Sequence, residues 1–148
     1  KRSHHYFYPN SIEVDDFDQI PEDDQYTKVT VDYPSKVRRE LEYGFNSRSV
    51  EKIHVTTSGW NYMDIIPYNV NKANGLKEFL AYLDVSRTQL IAFGDGENDI
   101  EMLKLAGLSY AMENGQDSDK KMAKFIAPSN NDNGVFKVLT KYLNEAQK

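Results

Sequence analysis

The chain has 148 residues, 39% of them hydrophobic, and carries a formal net charge of -5 from 18 basic and 23 acidic side chains. That length suits one ordinary domain or two small pieces, and the acidic balance argues against a nucleic-acid partner, whose footprint would be basic. The absence of cysteine excludes disulfides and thiolate metal sites and fits a cytoplasmic protein, while no apolar stretch approaches the length of a membrane span.

Residues 1–25 mix polar and aromatic side chains with the acidic runs Asp15-Asp16 and Glu22-Asp23-Asp24, and read as solvated and partly irregular. Thr27 to Val31 alternates with period two, which predicts a strand. Pro34 suits a helix start; Val37, Leu41 and Tyr43 share one face before Gly44 ends it. Val50 to Thr57 alternates again, with Ile53, Val55 and Thr57 on one side. Ser58-Gly59 marks a turn, and Tyr62 to Ile66 predicts the next strand. Residues 1–68 thus read as a small α+β part, with Pro67 to Asn71 as the linker.

From Asn74 the pattern changes. Leu76, Phe79, Leu80 and Leu83 recur at helical spacing, and Ser86 caps the following turn. Gln89 to Phe93 predicts a buried strand, Ser109 to Met112 a second and Phe125 to Ala127 a third. Ile100, Met102, Leu103 and Ala106 mark a helix face, Lys120 to Lys124 closes another helix, and Val135, Val138, Leu139, Tyr142 and Leu143 make the last. Strands alternating with helices imply parallel βαβ units. The fold class is therefore α/β: a partial Rossmann-like parallel sheet with flanking helices over residues 69–148, joined to the α+β part.

The most informative run is Gly94-Asp95-Gly96-Glu97-Asn98-Asp99, at the turn from strand to helix. Open α/β sheets place their chemistry there, outside the carboxyl ends of the strands. The glycines permit close backbone approach. Asp95 and Asp99 are hard oxygen ligands of the kind Mg2+ prefers, and that ion usually takes one or two protein carboxylates plus phosphate and water. A calcium loop of the EF-hand kind is excluded by register: its sixth position would be Ile100 instead of Gly, and its twelfth Ala106 instead of Glu. His4, His5 and His54 have no ligand spacing, and Phe45, Trp60 and Tyr62 read as core of the small part more than as a substrate face.

This run resembles the fourth motif of the haloacid dehalogenase-like phosphohydrolases, and its longer form Gly-Asp-Gly-Glu-Asn-Asp-Ile-Glu-Met-Leu looks like the Cof-type branch. Asn71-Lys72 before Gly75-Leu76 matches the place of that family's third-motif lysine. Ala111-Met112-Glu113-Asn114-Gly115 and Ser129-Asn130-Asn131-Asp132-Asn133-Gly134-Val135 resemble two later segments, and His54 to Trp60 resembles the end of its cap domain. Two positions depart from the pattern: Ala73 follows Lys72, and Glu113 stands, where the family commonly has Gly.

The resemblance implies a Mg2+-dependent phosphatase acting on small phosphorylated metabolites such as sugar phosphates, through an aspartyl-phosphate. Asp95 and Asp99 would hold Mg2+, Lys72 would grip the phosphate, and Asn98 and Asn130 would help bind substrate. Residues 1–68 would be a partial cap and residues 69–148 the carboxy-terminal half of the core. The family's nucleophilic Asp-x-Asp follows an apolar strand; Asp16-Phe17-Asp18 has the spacing but follows the acidic run Glu13-Val14-Asp15. The chain is therefore expected to be the carboxy-terminal portion of a longer enzyme, inactive alone, that pairs with its missing amino-terminal half or with a second copy. An inactive module that binds a phosphorylated ligand or partner, and a phosphomutase, are the alternatives.

Overall fold

The computed structural model describes residues 9–23, 25–32, 40, 43–44, 53–57 and 62–146. Most of the helix expected between Pro34 and Gly44 lies outside them, as do His4, His5, Phe45 and Trp60. Asp18 lies in an exposed one-turn 3-10 helix, Phe17–Gln19, capped by Asp16, whose carboxylate accepts from the Asp18 amide, and no strand precedes it among the described residues.

Strands β1 (Val29–Asp32), β2 (Ile53–Thr57) and β3 (Tyr62–Pro67) form an antiparallel sheet in the order β1-β3-β2. Alternation puts Val31, Val55, Met63 and Ile65 together on one face as a small core. The opposite face carries Asp64, opposite Thr30 and Thr56. Asp64 is buried, and its oxygens accept from the Thr30 hydroxyl at 2.7 Å and the Lys28 ammonium at 3.2 Å. A buried carboxylate needs such partners.

The chain leaves β3 through a turn at 68–71, where the Val70 amide donates to the Pro67 carbonyl and Asn69 adopts a left-handed φ of 65°. Helix α1 then runs Lys72–Tyr82, two residues earlier than its apolar spacing suggests. The reason is the cap: the Asn71 side chain accepts from the Asn74 amide at 2.9 Å. Ala73 is accordingly helical and buried, so no glycine is needed after Lys72.

A parallel sheet follows, in the order β4-β5-β6: β4 (Ile91–Gly94), β5 (Leu108–Met112) and β6 (Phe125–Ala127). Gln89, expected in β4, instead belongs to a single 3-10 turn, because its side chain completes a capping box with Ser86. Helices α2 (Ile100–Leu105) and α3 (Asp117–Met122) make the crossovers, and α4 (Gly134–Ala146) ends the fold. On one sheet face Ala92 packs against Leu103 and Ala106 of the α2 segment. On the other, Phe93, Tyr110 and Phe125 stack with ring centroids 5.3 and 5.2 Å apart, under Val135, Val138 and Tyr142 of α4. The Tyr110 and Tyr142 hydroxyls share a 2.7 Å hydrogen bond; burial first, then that bond, push the Tyr110 phenol up to about 12. The carboxyl ends of β4, β5 and β6 point the same way, so the loops after all three meet at one end of the sheet.

Candidate active site at the carboxyl ends of the parallel strands

β4 ends at Gly94, where nothing larger fits: a Cβ there would lie 2.6 Å from that of Asp99. The chain then turns through a one-turn helix, Glu97–Asp99, into α2. Asp99 is 4% exposed and organises the turn. Its Oδ2 accepts from the backbone amides of Asp95 at 3.0 Å and Gly96 at 3.4 Å. Its Oδ1 accepts from the Lys72 ammonium at the start of α1. A carboxylate in the first turn of a helix, paired with a cation, is favoured by both the helix dipole and the pair.

Asp95 stands at the tip, exposed. Its Oδ2 accepts from the Asn130 side-chain amide at 2.8 Å, and its backbone carbonyl accepts from the Gln116 amide. Asn130, in the turn after β6, is itself held by its backbone N–H, which donates to Asn114 Oδ1 at 2.8 Å. Gly115 passes so close that a Cβ would lie 2.9 Å from the Asp95 Cα. Asn98 is half-buried in the same turn, beside Gly96. The structure thus brings Lys72, Asp95, Asn98, Asp99 and Asn130 together at one end of the sheet, and β2 lies alongside the Glu97–Asp99 turn. Glu113 needs no glycine-like backbone: its φ is not positive, and its amide donates to the Ala127 carbonyl.

Sequence reasoning missed Asp119. This α3 residue is wholly buried, and neither carboxylate oxygen has a hydrogen-bond partner among the described residues. Burial, and after it the charges of Asp99, Asp95 and Glu97, hold its carboxyl above the usual carboxylate range. Nothing in Asp117-Ser118-Asp119-Lys120 distinguishes it from a solvated helix face. Asn114 and Gly115 were legible only as part of the segment after β5.

Among the described residues, no group of three or more His, Cys, Asp or Glu side chains is placed to hold a metal ion. One exposed carboxylate, Asp95, with Asp99 behind it, suits a cation that completes its shell with phosphate and water oxygens. No described helix is long and apolar enough to cross a membrane.

The sequence matches the haloacid dehalogenase-like hydrolase family over residues 1–139. The 5-amino-6-(5-phospho-D-ribitylamino)uracil phosphatase YbjI of Escherichia coli is 32% identical over 137 residues, 93% of this chain and 50% of that protein. The chloroplastic endoribonuclease YBEY of Arabidopsis thaliana is 33% identical over 138 residues, 93% of this chain but 24% of that protein. Among solved structures, SMU.1108c of Streptococcus mutans superposes with a TM-score of 0.81 at 35% identity, covering 88% of this chain and 49% of that one. The chain therefore spans half or less of the length of these similar proteins. With its site residues gathered on a fold of that kind, the chain belongs to the haloacid dehalogenase-like hydrolases.

Proposed function

We propose that the protein to which this chain belongs is a Mg2+-dependent phosphatase of small phosphorylated metabolites. The observation that carries this is the joint placement of Lys72, Asp95, Asp99 and Asn130 at the carboxyl ends of three parallel strands. Phosphoryl transfer needs positive charge on the phosphate oxygens and fixed geometry more than it needs covalent machinery. The Lys72 ammonium supplies one such charge, held in place by Asp99. Asp95 is oriented by Asn130 and offers its other oxygen to Mg2+, which when bound would neutralise phosphate charge. Asn98, in the same turn, would hydrogen-bond the ester. A phosphate ester on a sugar or sugar-alcohol chain fits the reading, since the similar Escherichia coli enzyme is named for a ribityl phosphate.

The nucleophilic aspartate, in this reading, comes from a strand outside the described residues that adds to β4. Three observations support that arrangement. β4 is an edge strand among the described residues. On the sheet face covered by α4, Phe136, Leu139 and Leu143 stand exposed at helical spacing. On the face of α2, the neighbouring helix α1 exposes Phe79 and Leu83. Exposed apolar side chains on helices of both faces, together with an unpaired edge, mark surfaces that another segment covers. That segment belongs to the amino-terminal half of the same protein or to a second copy, and residues 1–68 serve as part of a cap. A phosphate-release assay on the native-length protein, with and without Mg2+, tests the reading.

A further inference from the structure

Beside the start of α1, where Asn71 and Ala73 flank Lys72, α1 and α2 border an open groove of about 440 Å3 that extends away from the acidic turn to Arg87 and Lys104. Its walls carry Lys77, Arg87 and Lys104 against one carboxylate, Glu101, in a chain whose net charge is -5. Among the described residues none of the three cations is in an ion pair, unlike Lys28 with Asp64 and Lys72 with Asp99. Unpaired cations that line one groove repel one another, and an anion between them relieves that repulsion.

The Lys77 ammonium and the backbone that carries Arg87 are held by their surroundings. The Lys77 ammonium donates to Asn74 Oδ1 at 3.0 Å, and Asn74 in turn donates to the Asn69 carbonyl at 2.6 Å. Arg87 sits in a capped turn whose carbonyl accepts from the Gly107 amide at 2.8 Å. Gly107 packs there so tightly that a Cβ would lie 2.4 Å from the Thr88 carbonyl oxygen. That contact fixes the Arg87 turn against the end of α2, the helix that carries Lys104. A volume of this size holds a small metabolite, and a guanidinium fork suits planar or tetrahedral oxyanions.

We propose that this groove is a second binding site, separate from the acidic turn, that takes a small oxyanion ligand bearing a phosphate or carboxylate group. The proposal gives these cations no part in the hydrolysis, and its test is read at the groove separately from residues 95–99. The test is a heteronuclear NMR titration of the native-length protein with inorganic phosphate and, separately, with citrate. Saturable shifts are expected at the amides of residues 74–77, 87–88 and 104, distinct from any at residues 95–99. In Arg87→Ala/Lys104→Ala the groove shifts should need at least about tenfold more ligand, while those at 95–99 keep their midpoint. Lys104→Arg, which keeps the charge, should titrate like wild type, and matching melting curves show that the double variant is folded. A lower midpoint for phosphate than for citrate assigns a phosphate ligand, and the reverse a carboxylate. Absence of groove shifts with both anions, or identical titrations in the double variant, overturns the proposal.

Discussion

Asp99 joins the two segments that carry the site: its Oδ1 accepts from Lys72 on α1, and its Oδ2 from the backbone amides of Asp95 and Gly96. A single buried carboxylate therefore fixes the cation, the turn and the direction in which Asp95 points. Asp99→Asn keeps the shape but surrenders the charge that orders all three. Because Lys72 is half-exposed and can hydrate, the cost in stability should be about 1–3 kcal/mol. Phosphatase activity of the native-length protein should fall by about 10²-fold or more. Thermal melts and turnover measured on the same preparation check both; a variant with unchanged turnover would show that Asp99 does not organise the site.

Two glycines give opposite expectations. Gly94→Ala drives a Cβ to 2.6 Å from that of Asp99, so the acidic turn must shift. Overpacking of this kind costs about 1–3 kcal/mol, and activity should be lost with it. At Gly75, inside α1, an added Cβ would meet nothing within 4 Å. Gly75→Ala should therefore raise stability by about 0.5–1 kcal/mol with activity unchanged. Denaturant unfolding of the pair measures the contrast directly.

Asp119 sets a pH dependence. Its folded-state pKa is raised, chiefly by burial, so the fold favours the protonated form more than the unfolded chain does. Stability contributed this way is present at low pH and is lost as pH rises from the ordinary carboxylate value through the folded-state value. Asp119→Asn should flatten that decline and be more stable than wild type at neutral pH. Melting temperatures between pH 4 and pH 8 check this; parallel curves for the two proteins would mean that Asp119 does not titrate with folding.

The exposed stripe on α4 predicts a difference between chain lengths. Leu143 is 64% exposed in the described chain. In the 148-residue chain alone, Leu143→Ala should change stability by less than about 0.5 kcal/mol. In the native-length protein, where another segment covers the stripe, the same change should cost about 2–5 kcal/mol. Equal small effects at both lengths would place the covering segment elsewhere.

Much of this architecture was legible in the residues. Period-two alternation located β1 and β2, the Ser58-Gly59 turn signal set off β3, and the apolar stretch at Leu90-Ile91 located β4, because a strand's burial pattern is local. Side-chain capping moved boundaries: Asn71 started α1 early, and the Gln89 side chain kept that residue out of β4. The acidic turn was readable because its residues are contiguous. The family likeness brought Asn130 to the site but gave no Lys72–Asp99 pair, since the Lys72–Asp99 and Asn130–Asp95 contacts span 27 and 35 residues and depend on how strands stack. The groove at Lys77, Arg87 and Lys104 had no sequence signal, because no spacing announces which faces of α1 and α2 will meet. Asp119 was invisible for the same reason.

Most direct for the central claim is phosphate release from small phosphomonoesters by the native-length protein, wild type against Asp95→Asn, with Mg2+ and with the metal chelated. The substitution is isosteric and leaves an amide carbonyl at the tip, so the fold should melt as wild type does. The account predicts Mg2+-dependent turnover in wild type and a loss of about 10²-fold or more in the variant. Turnover that survives chelation, or that persists undiminished in Asp95→Asn, would contradict it.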